Sequence, residues 1–131
     1  MKILDSDILI AILRGDKSAE TIVDSLDEEG KAATTVINSY EILFGAKRSY
    51  KKEENLKETR RLLAKLNVLD MDVEASEISS SLHAQLLENG NMINLRDIFI
   101  ASIILANGYN TIITRNIKDF SKIKELRIEK W

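Results

Sequence analysis

The stretch Lys2–Leu13, KILDSDILIAIL, places a short apolar strand directly before an apolar helix. Further strand-like runs occur at residues 32–35, 68–69, 111–114 and 126–128, and helical patterns separate them. Strands joined through helices need crossover connections, so this order predicts a mainly parallel sheet of four to five strands with helices on both faces. We therefore predict an α/β fold in a single domain over residues 1–131.

The composition excludes several kinds of active site. The chain contains no cysteine and a single histidine, His83, which excludes thiolate nucleophiles, iron–sulfur clusters and histidine-rich metal sites. The glycine-rich phosphate-binding motifs and the GxSxG motif of serine hydrolases are also absent. Charge chemistry must therefore come from the 21 acidic side chains. We expect a cytoplasmic protein without a membrane contact, because there is no export leader and no clear membrane span.

Three carboxylates stand where exposed acids are uncommon. Asp5 ends the first strand, Glu41 lies two turns into an apolar helix, and Asp97 opens a helix that is apolar on nearly every face. Each has an ordinary explanation: a helix cap for Asp5, a helix-dipole contact for Asp97, and an ion pair with an arginine for Glu41. A parallel sheet, however, places all three near the carboxyl ends of its strands, where functional crevices form. We therefore expect them to converge.

Asp119 is a fourth candidate, since it lies in the segment TRNIKDF (114–120) directly after the last central strand. A turn or cap role would also explain it. Converging carboxylates without histidine or cysteine suit hard cations, Mg²⁺ or Mn²⁺. Such a metal lowers the pKa of a bound water and neutralises charge on a leaving oxygen, which favours phosphoryl-transfer chemistry.

Four segments carry a resemblance to a known family. They are LDSDILI (4–10), NSYEILFGA (38–46), DIFIA (97–101) and TRNIKDF (114–120), followed by an apolar strand and Trp131. In this order they resemble the motifs LDTNVLI, SxELxxG, DxxIAA and TRNxxDF of PIN-domain ribonucleases, particularly the VapC toxins of toxin–antitoxin pairs. Each motif alone is weakly specific, but four in register along the whole chain are strongly specific.

The resemblance implies a PIN-domain fold and a Mg²⁺- or Mn²⁺-dependent endoribonuclease that leaves 5′-phosphate and 3′-hydroxyl ends. It implies a homodimer inhibited by a VapB-type antitoxin, whose C-terminal tail would enter the acidic crevice. The implied catalytic and metal-binding acids are Asp5, Glu41, Asp97 and Asp119. The residues implied to orient ligands or water are Ser6, Thr114 and Asn116. Asn116 occupies a position where some relatives carry an acid, so either Asp119 or Asn116 would complete the metal site.

The charge distribution fits an RNA substrate better than the net charge of −2 does. Residues 47–65 carry eight basic and three acidic side chains, whereas the rest of the chain has a net charge of −7. A basic segment beside an acidic crevice suits phosphate contacts, although it also suits a solvated helix face. The predicted RNA contacts are Lys47, Arg48, Lys51, Lys52 and Arg115. Without interleaved aromatic residues, we expect recognition of RNA shape, as in tRNA or another structured RNA.

Three other interpretations remain open at this stage. Asp5 and Asp7 resemble the nucleophile and acid pair of HAD-like phosphatases, although a suitably placed lysine and a later acidic pair are not evident. A phospho-receiver signalling domain has a similar length, with Asp70 as its phosphorylated residue. A PIN scaffold that only binds a partner is the third, and the intact acids at all four positions argue against it.

Overall fold

The computed structural model describes all residues from Met1 to Trp131. Its strands are β1 (Lys2–Leu4), β2 (Ala32–Thr35), β3 (Asn67–Leu69), β4 (Thr111–Ile113) and β5 (Arg127–Glu129). They form one sheet in the order β3-β2-β1-β4-β5, and every neighbouring pair is parallel. The helices are α1 (Ser6–Leu13), α2 (Lys17–Glu28), α3 (Val36–Lys47), α4 (Lys52–Ala64), α5 (Val73–Glu88), α6 (Leu95–Ala106) and α7 (Ile117–Phe120). No helix is both long enough and apolar enough to cross a bilayer.

The predicted α/β class, with one parallel sheet between two layers of helices, is confirmed. The structure differs from the prediction mainly at α7, because no helix was predicted in this segment. Four residues span barely one helical turn, so no repeating apolar pattern announces such a helix. Asp119 therefore lies inside a short helix and not in a loop.

Alternate residues of each central strand pack on opposite faces of the sheet. Ile3 and Ile112 join the buried cluster that contains residues of α5, α6 and α7, whereas Leu4 and Ile113 join the cluster with residues of α1, α2 and α4. Burial on both faces is the reason that these strands are apolar without alternation. The sheet therefore forms a rigid platform in which each strand end has a fixed position.

The register aligns the carboxyl ends of the central strands. Leu4 of β1 pairs with Ile113 of β4, so Asp5 and Thr114, which follow them, emerge side by side. The Asp5 amide donates to the Ile113 carbonyl oxygen at 3.1 Å, which extends the pairing one residue beyond β1. The hydroxyl of Thr34 in β2 donates to the Leu4 carbonyl at 2.8 Å from the other side. Asp5 thus has a fixed backbone at the middle of this edge of the sheet.

Candidate active site

Asp5 is the buried centre of the site, with 7% of its surface exposed. Its Oδ1 accepts a hydrogen bond from the Ser6 amide at 2.8 Å, which also makes Asp5 the N-cap of α1. Its Oδ2 accepts from the Thr114 hydroxyl at 2.6 Å. Burial, with smaller contributions from the charges of Asp7 and Asp97, raises the pKa of Asp5 to about 6, against the opposing hydrogen bond from Thr114. Hydrogen bonds therefore fix the orientation of the carboxylate, but no positive charge lies close enough to stabilise its ionised form.

Asn38 is a buried residue of this network that the sequence analysis did not select. Its Nδ2 donates to Asp5 Oδ1 at 3.0 Å and to Ser6 Oγ at 2.9 Å, and its Oδ1 accepts from the Thr35 hydroxyl at 2.7 Å. The available signal was a lone amide in an otherwise apolar stretch of α3. A fully buried amide in a helix needs partners elsewhere, and here one partner is the carboxylate that ends β1.

Asp97 lies in the first turn of α6 and is half-buried. Its Oδ2 accepts a hydrogen bond from Asn116 Nδ2 at 3.1 Å. Burial, together with the charges of Asp119 and Glu41, raises the pKa of Asp97 to about 6, while Asn116 and Arg96 oppose the rise. Asp97 therefore lies near two other acids. The sequence analysis expected acids to converge at the carboxyl ends of the parallel strands.

A single turn after β4 orients both of these carboxylates. Thr114 binds Asp5, Asn116 binds Asp97, and the Asn116 amide donates to the Thr114 hydroxyl oxygen at 2.9 Å. Ser6, the third predicted orienting residue, contacts Asp5 through its amide and Asn38 through its hydroxyl. The structure thus brings all three orienting residues to the acids.

Glu41 has the arginine partner that its ordinary explanation requires. Its Oε2 lies 3.7 Å from Arg96 Nη1, in an ion pair whose side chains are 24% and 53% exposed. An exposed pair of this length contributes little to stability. Because Glu41 also raises the pKa of Asp97, it faces the acid cluster while remaining loosely paired and available to a ligand.

The ordinary explanations of the three acids are met, and they do not prevent these acids from sharing one neighbourhood. Asp5 does cap a helix, Asp97 does lie in a first turn, and Glu41 does pair with an arginine. The same three acids, together with Asp119, still form one electrostatically coupled group around Asp97. The local roles position the side chains, and the shared neighbourhood raises the pKa values of Asp5 and Asp97.

The carboxylate oxygens suit a hard divalent cation, but the acids are too far apart to surround one as they stand. No three acidic or histidine side chains lie close enough to form a ready-made metal-binding group. The raised pKa values of Asp5 and Asp97 mean that their ionised forms lack compensating positive charge. Oxygen ligands that repel one another and have no histidine or cysteine among them are suited to Mg²⁺ or Mn²⁺. The residues present thus fit the group that the resemblance implies.

The structure does not favour the phosphatase interpretation. Asp7, its proposed general acid, accepts from the Arg115 amide at 2.7 Å through Oδ2 and from the Trp131 indole at 3.1 Å through Oδ1. Both oxygens are thereby engaged on the side of α1 that faces β4 and β5. Asp7 acts instead as an anchor for the turn after β4.

The topology does not favour the phospho-receiver interpretation either. In a receiver domain the strand order is 2-1-3-4-5, which places the third strand beside the first. Here β2 separates β1 from β3, and the exposed Asp70 follows β3 at the edge of the sheet. Asp5 and Asp70 therefore do not meet in one crevice.

The five predicted RNA contacts are all exposed side chains. Arg48 lies over the ring of Phe44 with 5.6 Å between guanidinium carbon and ring centroid, and Phe44 stacks on Tyr40 with 5.9 Å between centroids. Tyr40 and Phe44 are 56% and 47% exposed. This aromatic pair lies beside Arg48 on α3, at an i, i+4 spacing that the sequence analysis overlooked. Arg115 is different, because its guanidinium stacks on Trp131.

Comparison with known proteins assigns the family. Residues 2–126 match the PIN domain. The chain belongs to the PIN domain family. It is 29% identical over 131 residues to the ribonuclease VapC2 of Rickettsia felis, covering 98% of this chain and 96% of that protein. It is 27% identical to the tRNA(fMet)-specific endonuclease VapC of Shigella flexneri, with the same coverage. The predicted resemblance is therefore confirmed.

The structural comparison agrees for this PIN domain. The crystal structure of VapBC2 from Rickettsia felis, bound to a DNA fragment from its promoter, aligns with a TM-score of 0.90 and 26% identity. The alignment covers 99% of this chain and 98% of the matched one. Nearly every element of this PIN domain thus has a counterpart there.

Proposed function

We propose that this chain is a VapC-type endoribonuclease that hydrolyses RNA phosphodiester bonds with the help of Mg²⁺ or Mn²⁺. The observation that carries the proposal is the pair of carboxylates, Asp5 and Asp97, whose pKa values are both raised to about 6 within one acidic group of a PIN domain. Relatives named as ribonucleases, alike over almost the full chain, support the same activity.

Four side chains would hold the cation: Asp5, Glu41, Asp97 and Asp119. When bound, it would supply a more acidic water and neutralise charge on the leaving oxygen. The chain's own contribution is orientation, since Thr114 fixes Asp5 Oδ2 and Asn116 fixes Asp97 Oδ2 by direct hydrogen bonds. Partners that orient ligands in this way commonly affect metal affinity or activity by 10–100-fold.

Substrate contacts would come from α3 and the basic segment that follows it. Lys47, Arg48, Lys51 and Lys52 would contact phosphates, and Arg115 would reach the strand from the turn after β4. The stacked pair of Tyr40 and Phe44 adds exposed rings beside these cations, a combination suited to unpaired bases. We therefore propose that the substrate is tRNA or another structured RNA that offers a single-stranded loop to α3.

Two protein partners complete the proposal. A VapB-type antitoxin would inhibit the enzyme, in keeping with structural relatives that are VapBC complexes. A second copy of the chain would form a homodimer. Sedimentation of the purified chain, alone and with the antitoxin encoded beside it, measures both expectations directly.

The experiment for the activity is cleavage of a mixed cellular RNA pool by antitoxin-free protein. Wild type with Mg²⁺ or Mn²⁺ should cut, EDTA should stop it, and sequencing should find 5′-phosphate ends. Asp5→Asn should abolish cutting, whereas Asp70→Asn, an exposed acid at the same edge of the sheet, should leave it unchanged. Equal cutting by Asp5→Asn, or cutting unaffected by EDTA, would reject the proposal.

A further inference from the structure

The turn formed by residues 114–116 is the piece of backbone on which the orientation of the site depends. It carries Thr114, which binds Asp5 at 2.6 Å, and Asn116, which binds Asp97 at 3.1 Å. If this turn rotates, Asp5 Oδ2 and Asp97 Oδ2 each lose the hydrogen bond that the turn supplies. The Thr114 amide still pairs with the Glu129 carbonyl of β5 at 3.0 Å, but the rest of the turn lies beyond the sheet and depends on side-chain contacts.

Asp7 supplies the first of these contacts. Its Oδ2 accepts the Arg115 amide at 2.7 Å and lies 3.3 Å from the Thr114 hydroxyl. Asp7 belongs to the first turn of α1, which is anchored to β1 through the cap at Asp5. This carboxylate therefore ties the middle of the turn to the rigid centre of the fold.

Trp131 supplies the second contact and joins it to the first. Its indole Nε1 donates to Asp7 Oδ1 at 3.1 Å, and its carbonyl oxygen accepts from Arg115 Nε at 3.0 Å. The Arg115 guanidinium lies flat against the same indole, 3.6 Å from the ring centroid. Trp131, two residues beyond the end of β5, thus contacts both Asp7 and Arg115. Arg115 belongs to the turn, and Asp7 binds its amide.

The geometry assigns Trp131 as a positioning residue of the active site: through Asp7 and Arg115 it holds the 114–116 turn in the orientation that aligns Asp5 and Asp97. This inference rests on the proposed function for its effect on rate, but the positioning itself is a structural property. It also gives Arg115 a role that requires arginine, because a lysine has neither the planar group that stacks on indole nor the Nε donor.

The test compares Trp131→Phe with a matched change on the same strand. Trp131→Phe keeps an aromatic ring under Arg115 but removes the indole N–H that binds Asp7. Glu129→Ala breaks the 2.9 Å ion pair between Glu129 and Lys2, which ties β5 to β1, and keeps the backbone carbonyl that accepts the Thr114 amide at 3.0 Å. Both changes remove a side-chain contact of the C-terminal segment, and only the first removes one that leads to the turn.

Two readouts separate positioning from simple stability. The side-chain amide resonance of Asn116 reports its hydrogen bond to Asp97, and we expect Trp131→Phe to shift it while Glu129→Ala leaves it in place. In RNA cleavage with Mn²⁺, we expect Trp131→Phe and Arg115→Lys to lower kcat about tenfold with KM within twofold. Asp7→Asn combined with Trp131→Phe should be no slower than the slower single variant, because both changes reach the turn through residue 7.

An unshifted Asn116 resonance in Trp131→Phe would overturn the inference, as would an equal kcat loss in Trp131→Phe and Glu129→Ala. An increase in KM alone for Arg115→Lys would leave Arg115 with its proposed RNA contact only and would overturn its part in holding the turn. If the wild-type protein cuts no RNA, the proposed function fails, and the Asn116 resonance still decides whether Trp131 positions the turn.

Discussion

Replacing Asp5 with asparagine should abolish activity and yet stabilise the metal-free protein at neutral pH. The physical reason is the buried charge of Asp5, whose pKa rises from 3.8 to about 6 in the folded protein. A rise of this size corresponds to about 3 kcal/mol of unfavourable free energy in the ionised form. Asparagine has the same shape without the charge.

The hydrogen-bond network can accept the amide. Oδ1 of the new asparagine would still accept from Ser6 and Asn38. Its Nδ2 would donate to the Thr114 hydroxyl oxygen, and that hydroxyl would turn its proton towards Asp7 Oδ2, 3.3 Å away. No buried polar atom is then left without a partner. Most of the free energy recovered by removing the buried charge should therefore appear as a higher free energy of unfolding.

The assay is thermal unfolding in EDTA at several pH values between 4 and 8. A group whose pKa is raised on folding stabilises the protein below its unfolded pKa and loses that contribution as the pH rises through the folded pKa. The Tm of Asp5→Asn should therefore be close to that of wild type at pH 4, and the difference between them should grow until about pH 6. Above that it should reach roughly 10 °C in Tm at most, for a domain of this size.

Asp16 provides the matched control. It caps α2 as Asp5 caps α1, but hydrogen bonds from Ser18 and Ala19 lower its pKa, and it is only partly buried. Asp16→Asn should therefore bring no gain at neutral pH. The reasoning is refuted if Asp5→Asn is less stable than wild type at pH 8, or if its advantage does not depend on pH.

Three further predictions concern the same cluster. Mn²⁺ should raise the Tm of the wild-type protein at pH 8 but not that of Asp97→Asn, and an equal rise in both would place the cation elsewhere. Asn38→Ala should lower the free energy of unfolding by about 1–3 kcal/mol in urea titrations, because Asp5 and Ser6 lose a buried donor; an unchanged midpoint would contradict this. Asp119→Asn should lower the pKa of Asp97 in carboxyl ¹³C NMR titrations, since the Asp119 charge raises it, and an unchanged titration would separate the two residues.

The sheet was predictable because its signal is local. Runs such as Lys2–Leu4 and Thr111–Ile113 are apolar on both faces, and that pattern identifies buried parallel strands from a few neighbouring residues. The convergence of Asp5 and Asp97 followed from topology, since parallel strands end at the same edge. Neither inference required a side-chain contact to be known.

The network around these acids was not predictable for the opposite reason. Asn38 lies 33 positions from Asp5, and Trp131 lies 124 positions from Asp7. Contacts at such separations depend on rotamers and register that no local pattern encodes. The stacking of Tyr40 on Phe44 is different, because residues four apart on the predicted helix lie on one face, so this pair was readable from the sequence and was overlooked.

The most direct test of the account is the single-turnover rate of RNA cleavage by Asp97→Asn with saturating Mn²⁺, compared with wild type and Asp70→Asn. Asp97 accepts a hydrogen bond from Asn116, and the charges of Asp119 and Glu41 act on it. Its loss should therefore disable the whole acidic group. We predict a rate at least 100-fold below wild type for Asp97→Asn and no change for Asp70→Asn. An Asp97→Asn protein that is folded and cuts RNA at the wild-type rate would contradict the account.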